Sequence, residues 1–220
     1  MSRPPSSPSI EDAPRTGGRD VRRIIENPWA AAATGIVIAA LLGAFWLIAA
    51  GADPLGAVSY LLRIVHVLAA MVWVGLIVFV NFVQLKAIQD VDDAGRAAIL
   101  NVIAPRVAWW YRHASTVVVA SGALLLVTTG YAFEAWVFGA SVYIPPLRSL
   151  MLWIGIILAL AMWMFVHMYI WPALQVVIGL RPGGAGAVTA ARERVRLFAR
   201  WNLILVIPVT FVMVAAPHLY

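Results

Sequence analysis

The sequence predicts an all-α integral membrane bundle of five transmembrane helices, with a cytoplasmic N-terminus and a periplasmic C-terminus. Three observations carry this reading. Of 220 residues, 63% are hydrophobic and only 12% are charged, about half the charged share of a soluble domain. Mean hydropathy is +0.89, too apolar for the surface a soluble domain of this size exposes. The apolar residues gather into long uninterrupted stretches, which in lipid are helices because every backbone group must be satisfied internally.

Five such stretches lie near 29–51, 55–85, 107–131, 147–171 and 199–218. Each reaches about 20 residues, enough to cross roughly 30 Å of hydrocarbon. The second is long and is expected to tilt or project. Residues 1–28 are polar and hold Pro4, Pro5, Pro8 and Pro14; they read as a disordered cytoplasmic tail. They are not read as a signal peptide, because the apolar stretch that follows is too long.

Orientation follows from the basic residues. Arg3, Arg15, Arg19, Arg22 and Arg23 lie in the tail. Lys86, Arg96 and Arg106 follow the second span, and Arg181, Arg192, Arg194, Arg196 and Arg200 follow the fourth. Five spans put all of these on one side, which is then cytoplasmic. Residues 182–187 read as a flexible link. Residues 188–200 read either as a short basic helix on the membrane surface or as a solvated extension of the last span. The net charge of +6 suits an anionic leaflet better than nucleic acid. The predicted location is a bacterial inner membrane.

The chain has no cysteine. That excludes disulfides, Fe–S clusters, thiolate zinc sites and covalent c-type haem attachment. No phosphate loop and no His-Glu-x-x-His zinc motif is present.

The four histidines, His66, His113, His167 and His218, each fall within or at the end of a different span. Ionisable groups at membrane depth are costly, which suggests function. His66 lies about eleven residues into span two, roughly 16 Å, and pairs in depth with His218 on the outer side. His113 lies about seven residues into span three, roughly 10 Å. His167 comes one turn before the Trp171–Pro172 exit, so these two share the cytoplasmic half. Facing imidazoles in a helical bundle are what b-type haem needs. His66 with His218 would ligate an outer haem, and His113 with His167 an inner one. Arg63 and Arg112 stand beside two of the histidines and suit haem propionates, although both also suit snorkelling. Ala69, Ala70, Ala114 and Gly122 would admit a flat macrocycle, or simply pack helices. Trp73, Trp163 and Phe211 could line its faces. Trp109, Trp110, Tyr111 and Trp171 read as interfacial belt residues. Pro208 is expected to kink span five. If His218 is no ligand, Met71 or Met213 could replace it.

Certain motifs resemble a known family. They are Tyr60-Leu-Leu-Arg-Ile-Val-His66 through Trp73-Val-Gly75, Asn81-Phe-Val-Gln84, Trp110-Tyr-Arg112, His167 through Ile170-Trp171-Pro172-Ala-Leu-Gln175, and Arg200-Trp-Asn202 through Ile207-Pro208, Phe211, Met213 and His218. In this order they resemble the membrane domain of the bacterial urate hydroxylases, integral-membrane urate oxidases of which some carry a C-terminal cytochrome c. The resemblance covers roughly residues 55–220. The cysteine-free chain departs from it in lacking the cytochrome c. It also has histidine at 113 and 167, where the family more often has tryptophan, a paired change expected if both residues meet on one ligand. The span-two motif is similar, more loosely, to membrane protoporphyrinogen oxidases and copper-resistance membrane proteins.

The sequence thus reads as a membrane cytochrome b-like electron-transfer protein with one or two haem b groups. Expected partners are the lipid bilayer, a quinone, a cytochrome c or a separate redox subunit, within a larger membrane complex. The rival readings are a urate hydroxylase-like membrane oxidase, a histidine- and methionine-based copper handler, and a structural anchor.

Overall fold

The computed structural model describes residues 22–133 and 146–218. The first 21 residues of the predicted tail, and the chain end at Tyr220, lie outside them. In chain order the elements are α1 (Pro28–Ala49), α2 (Pro54–Asp90), α3 (Asp93–Ala98), α4 (Ala104–Thr128), α5 (Leu147–Val177) and α6 (Ala185–His218). No strand occurs among the described residues. Short π-helical turns interrupt the α-geometry at Phe79–Gln84 in α2 and Phe165–Ile170 in α5, and a third, Ile99–Ile103, joins α3 to α4.

Helices α1, α2 and α5, and Ala185–Ala216 of α6, are long and apolar enough to cross a membrane. The fifth predicted span is α4. Its 25 residues suffice in length, but Arg106, Arg112 and His113 crowd its first half and lower its apolarity. The protein is a multi-pass, all-helical membrane protein.

The chain divides at residue 53 into two units. The first holds α1. Asn27 caps it, its side chain accepting from the backbone N–H of Trp29 and Ala30, and Pro28 stands where a missing N–H costs nothing. The helix ends on Gly51 at φ +60°, with the Gly51 N–H on Ile48 O and the Ala52 N–H on Leu47 O. This is a Schellman cap, which needs a residue without Cβ. Of its residues only Gly43 is buried. A helix apolar all round suits lipid.

The second unit holds the bundle. Antiparallel pairs set its register. Ser59 of α2 bonds Thr128 O of α4. Arg112 of α4 lies over Trp171 of α5. Tyr169 of α5 stacks on Phe198 of α6. The core is formed by Trp73, Ile77, Tyr111, Val118, Met162, Val166 and Val206. Burial is inverted relative to a soluble domain. Asn81, Ser115, Ser149 and Asn202 are at most 3% exposed, while Ile207 and Val127 are more than 70% exposed. Polar groups inside and large apolar side chains outside are what a hydrocarbon solvent selects.

Two local expectations change. Residues 188–200 are not a separate surface helix, because α6 runs unbroken for 34 residues. No proline or glycine interrupts 187–199, and Ala191 and Ala199 are buried, so the basic segment packs as an extension of the span. The same helix continues through Pro208. Span four does not end at Trp171–Pro172 but reaches Val177. The π-turn just before Pro172 loosens the hydrogen-bond ladder where the proline supplies no N–H. His167 therefore sits well inside the helix. The end of the bundle where α2 leaves and α6 enters carries Lys86, Arg96, Arg106, Arg181 and Arg200; we refer to it as the base.

Candidate functional site

All four histidines are held in the same way. Each Nδ1 faces a backbone carbonyl: Trp109 O at 2.7 Å for His113, Trp163 O at 3.0 Å for His167, Val214 O at 2.8 Å for His218, and Val118 O at 3.0 Å for His66. A carbonyl only accepts, so each Nδ1 carries the hydrogen, and in the neutral tautomer this leaves, the lone pair is on Nε2. That tautomer is the one a metal-binding imidazole needs, with its other nitrogen anchored.

The contacts of the four rings differ. His66 is half-buried between α2 and α4. Its Nδ1 also lies 3.1 Å from the Ser121 hydroxyl, which donates its own hydrogen to Val117 O and so accepts from the ring. A Cβ on Gly122 would come within 3.1 Å of the His66 ring. Gly122 is therefore small because the imidazole fills that space, and it leaves no opening for a macrocycle. Ala69, Ala70 and Ala114 likewise pack the core.

His167 of α5 meets α4 at Thr116, one turn along that helix from His113. His113 is exposed and stacks on Trp109, with ring centroids 4.2 Å apart. His167 is half-buried and stacks on Trp163 at 4.6 Å. One turn along α4 from His113, the Thr116 hydroxyl lies 3.2 Å from His167 Nε2 and accepts from the Trp163 indole N–H at 3.3 Å. The chain of donors is complete: Trp163 N–H to Thr116, Thr116 O–H to His167, His167 N–H to the Trp163 carbonyl. The donor types suit haem iron: two imidazoles anchored at Nδ1 on antiparallel helices, about one turn apart in register, the His167 Nε2 capped by a single hydroxyl.

The outer pair is not brought together. His66 touches α4 at Val118–Gly122. The end of α6 packs through Ala216 against Leu152 and Tyr131, about nine residues further along, or roughly 13 Å of helix rise. Among the described residues no hydrogen bond or ring contact links His66 with His218. Met71 is 65% exposed, and Met213 lies on Gly155, where a Cβ would meet its Cε at 2.9 Å. Arg63 is exposed one turn from His66. Phe211 is exposed as well, and Trp73 is core.

Two expected belt residues are something else. Tyr111 is buried, and its hydroxyl accepts from Asn202 Nδ2 at 3.1 Å. Trp171 is half-buried, its ring 4.3 Å from the Arg112 guanidinium. Asn81 is 3% exposed and donates to Ile77 O at 2.9 Å and to Ala199 O at 3.1 Å. It satisfies a carbonyl at the edge of the α2 π-turn and ties α2 to α6. Sequence reasoning assigned no role to Asn81, Gln84 or Asn202. The available signal was an amide side chain inside an apolar span, which is as costly there as a histidine.

No family model, no curated protein and no solved structure matches this chain. The urate hydroxylase resemblance therefore rests on the quoted motifs alone.

Proposed function

We propose that the protein is a b-type cytochrome-like electron carrier of the membrane, with one haem held by His113 and His167 between α4 and α5. One observation supports this above the others. The two imidazoles stand on antiparallel helices about one turn apart in register, each with Nδ1 pinned by its own helix, so that Nε2 would be the ligating atom. When bound, haem supplies a reversible one-electron change at iron. The chain's own part is to hold and orient. The Trp109 and Trp163 carbonyls fix the ring tautomers, and their indole rings limit imidazole rotation. Thr116 holds the His167 lone pair until it is engaged. His66, seated on Gly122, acts as a clamp between α2 and α4.

Five spans put the basic base in the cytoplasm and the α6 end in the periplasm of a bacterial inner membrane. Its redox partner is a quinone, a cytochrome c or a separate subunit. The direct test is haem content after purification from haem-replete cells. His113→Ala and His167→Ala should each abolish it, while His218→Ala should not. Haem retained by both of the first two variants overturns the assignment.

A further inference from the structure

The base of the bundle holds a second polar feature that the histidine site does not use. A cavity of about 60 Å³ opens among α2, α4, α5 and α6. Both spanning π-turns contribute to its wall, through Val80 and Gln84 on one side and Val166 and Ile170 on the other. π-Turns cluster at functional sites because they widen a helix and re-aim its side chains.

Its polar groups are incompletely satisfied. Gln84 is 9% exposed, and its Oε1 is buried with no partner. Arg112 also lines the cavity; its Nε is buried with no partner, and its guanidinium lies 4.3 Å over the Trp171 ring. None of the lining residues is acidic, and among the described residues no carboxylate pairs with Arg112. Water can satisfy an orphaned hydrogen-bonding atom, but it does not neutralise a cation inside a membrane bundle, which costs several kcal/mol unpaired.

We infer that this cavity binds a small planar oxyanion of the carboxylate class, held by Arg112 and Gln84. The guanidinium fork matches two oxygens of such a group. The volume admits about four waters, which is the size of formate, nitrate or acetate. Gln84 serves as donor with its amide turned, so that Nε2–H rather than Oε1 faces the anion. The basic residues around the base raise the local anion concentration. This inference stands independently of the haem reading. The oxyanion has two sources, a free small anion or the carboxylate arm of a larger ligand such as haem.

The test is calorimetric titration of detergent-purified protein with sodium formate and with sodium nitrate at constant ionic strength. Haem-free and haem-loaded preparations are run side by side. Saturable binding is expected, weakened at least about tenfold by Arg112→Gln. Ala108→Leu, which narrows the cavity and leaves the charge, should weaken it too. Equal binding to both preparations assigns a free anion. Binding only to haem-free protein, restored when the carboxylate-free haem dimethyl ester is loaded, assigns the arm of haem. No saturable binding in any wild-type preparation overturns the inference, as does binding undiminished in both variants. If Arg112→Gln does not fold, the wild-type titration and Ala108→Leu still decide. A protein that takes up no haem leaves the titration fully readable.

Discussion

His66 lies directly on Gly122. The imidazole of α2 occupies the space where any other residue of α4 would place its Cβ, 3.1 Å from the ring Cε1. Nδ1 is held at the same time by Val118 O, so the ring cannot swing aside without losing that bond. The contact makes His66 a spacer between two helices.

The first prediction concerns this pair. In an exposed helix Gly→Ala stabilises by about 1 kcal/mol. Here Gly122→Ala should destabilise instead, by about 1–3 kcal/mol, as overpacking does. In a His66→Ala background the same change should become neutral or stabilising. Thermal unfolding of the four proteins in detergent measures the cycle. An additive cycle contradicts the contact.

The second concerns Thr116. Its hydroxyl caps the lone pair of His167 and competes with iron for it. Thr116→Val should raise haem affinity in a hemin titration, by about tenfold if the lost bond is worth about 1–1.5 kcal/mol. A purely structural threonine would lower stability and leave haem binding unchanged.

The third concerns Asn81, which joins α2 to α6 through two carbonyls. Asn81→Leu should cost about 1–3 kcal/mol. Asn81→Asp should cost more, since an ionised carboxylate only accepts and would face two carbonyls. Unfolding in detergent would rank them; Asp tolerated better than Leu contradicts the assigned bonds.

The long apolar elements were legible in the sequence, because hydrophobic length is what lipid demands. The interruptions were not. Pro172 suggested a helix end, yet the π-turn at Phe165–Ile170 carries the helix past it. The basic residues of 188–200 suggested a surface segment, but alanines at 191 and 199 seat the same helix against the bundle. Depth along each span separated His66 from the inner histidines, whereas the antiparallel register places it at Val118–Gly122, only a few residues along α4 from Thr116. Tyr111 looked interfacial from its tryptophan neighbours, and only helix rotation reveals that it points inward to Asn202. Pair register and helix rotation depend on partners distant in sequence, and a single chain read residue by residue does not hold them.

The fourth prediction concerns topology. The chain has no cysteine, so single replacements label cleanly. Ala187→Cys, exposed at the base, should react with a membrane-impermeant maleimide only after lysis. Ala52→Cys, exposed just beyond α1, should react in intact spheroplasts. Both reacting under one condition contradicts the five-span orientation.

The central claim is that His113 and His167 ligate one haem. A reduced-minus-oxidised absorption spectrum of the purified protein, with haem and protein both quantified, tests it most directly. The account predicts a low-spin b-type spectrum at one haem per chain, lost in either single alanine variant of the pair and retained in His218→Ala. No haem in protein from cells able to make it would contradict the claim, and so would two haems per chain or a spectrum untouched by both variants.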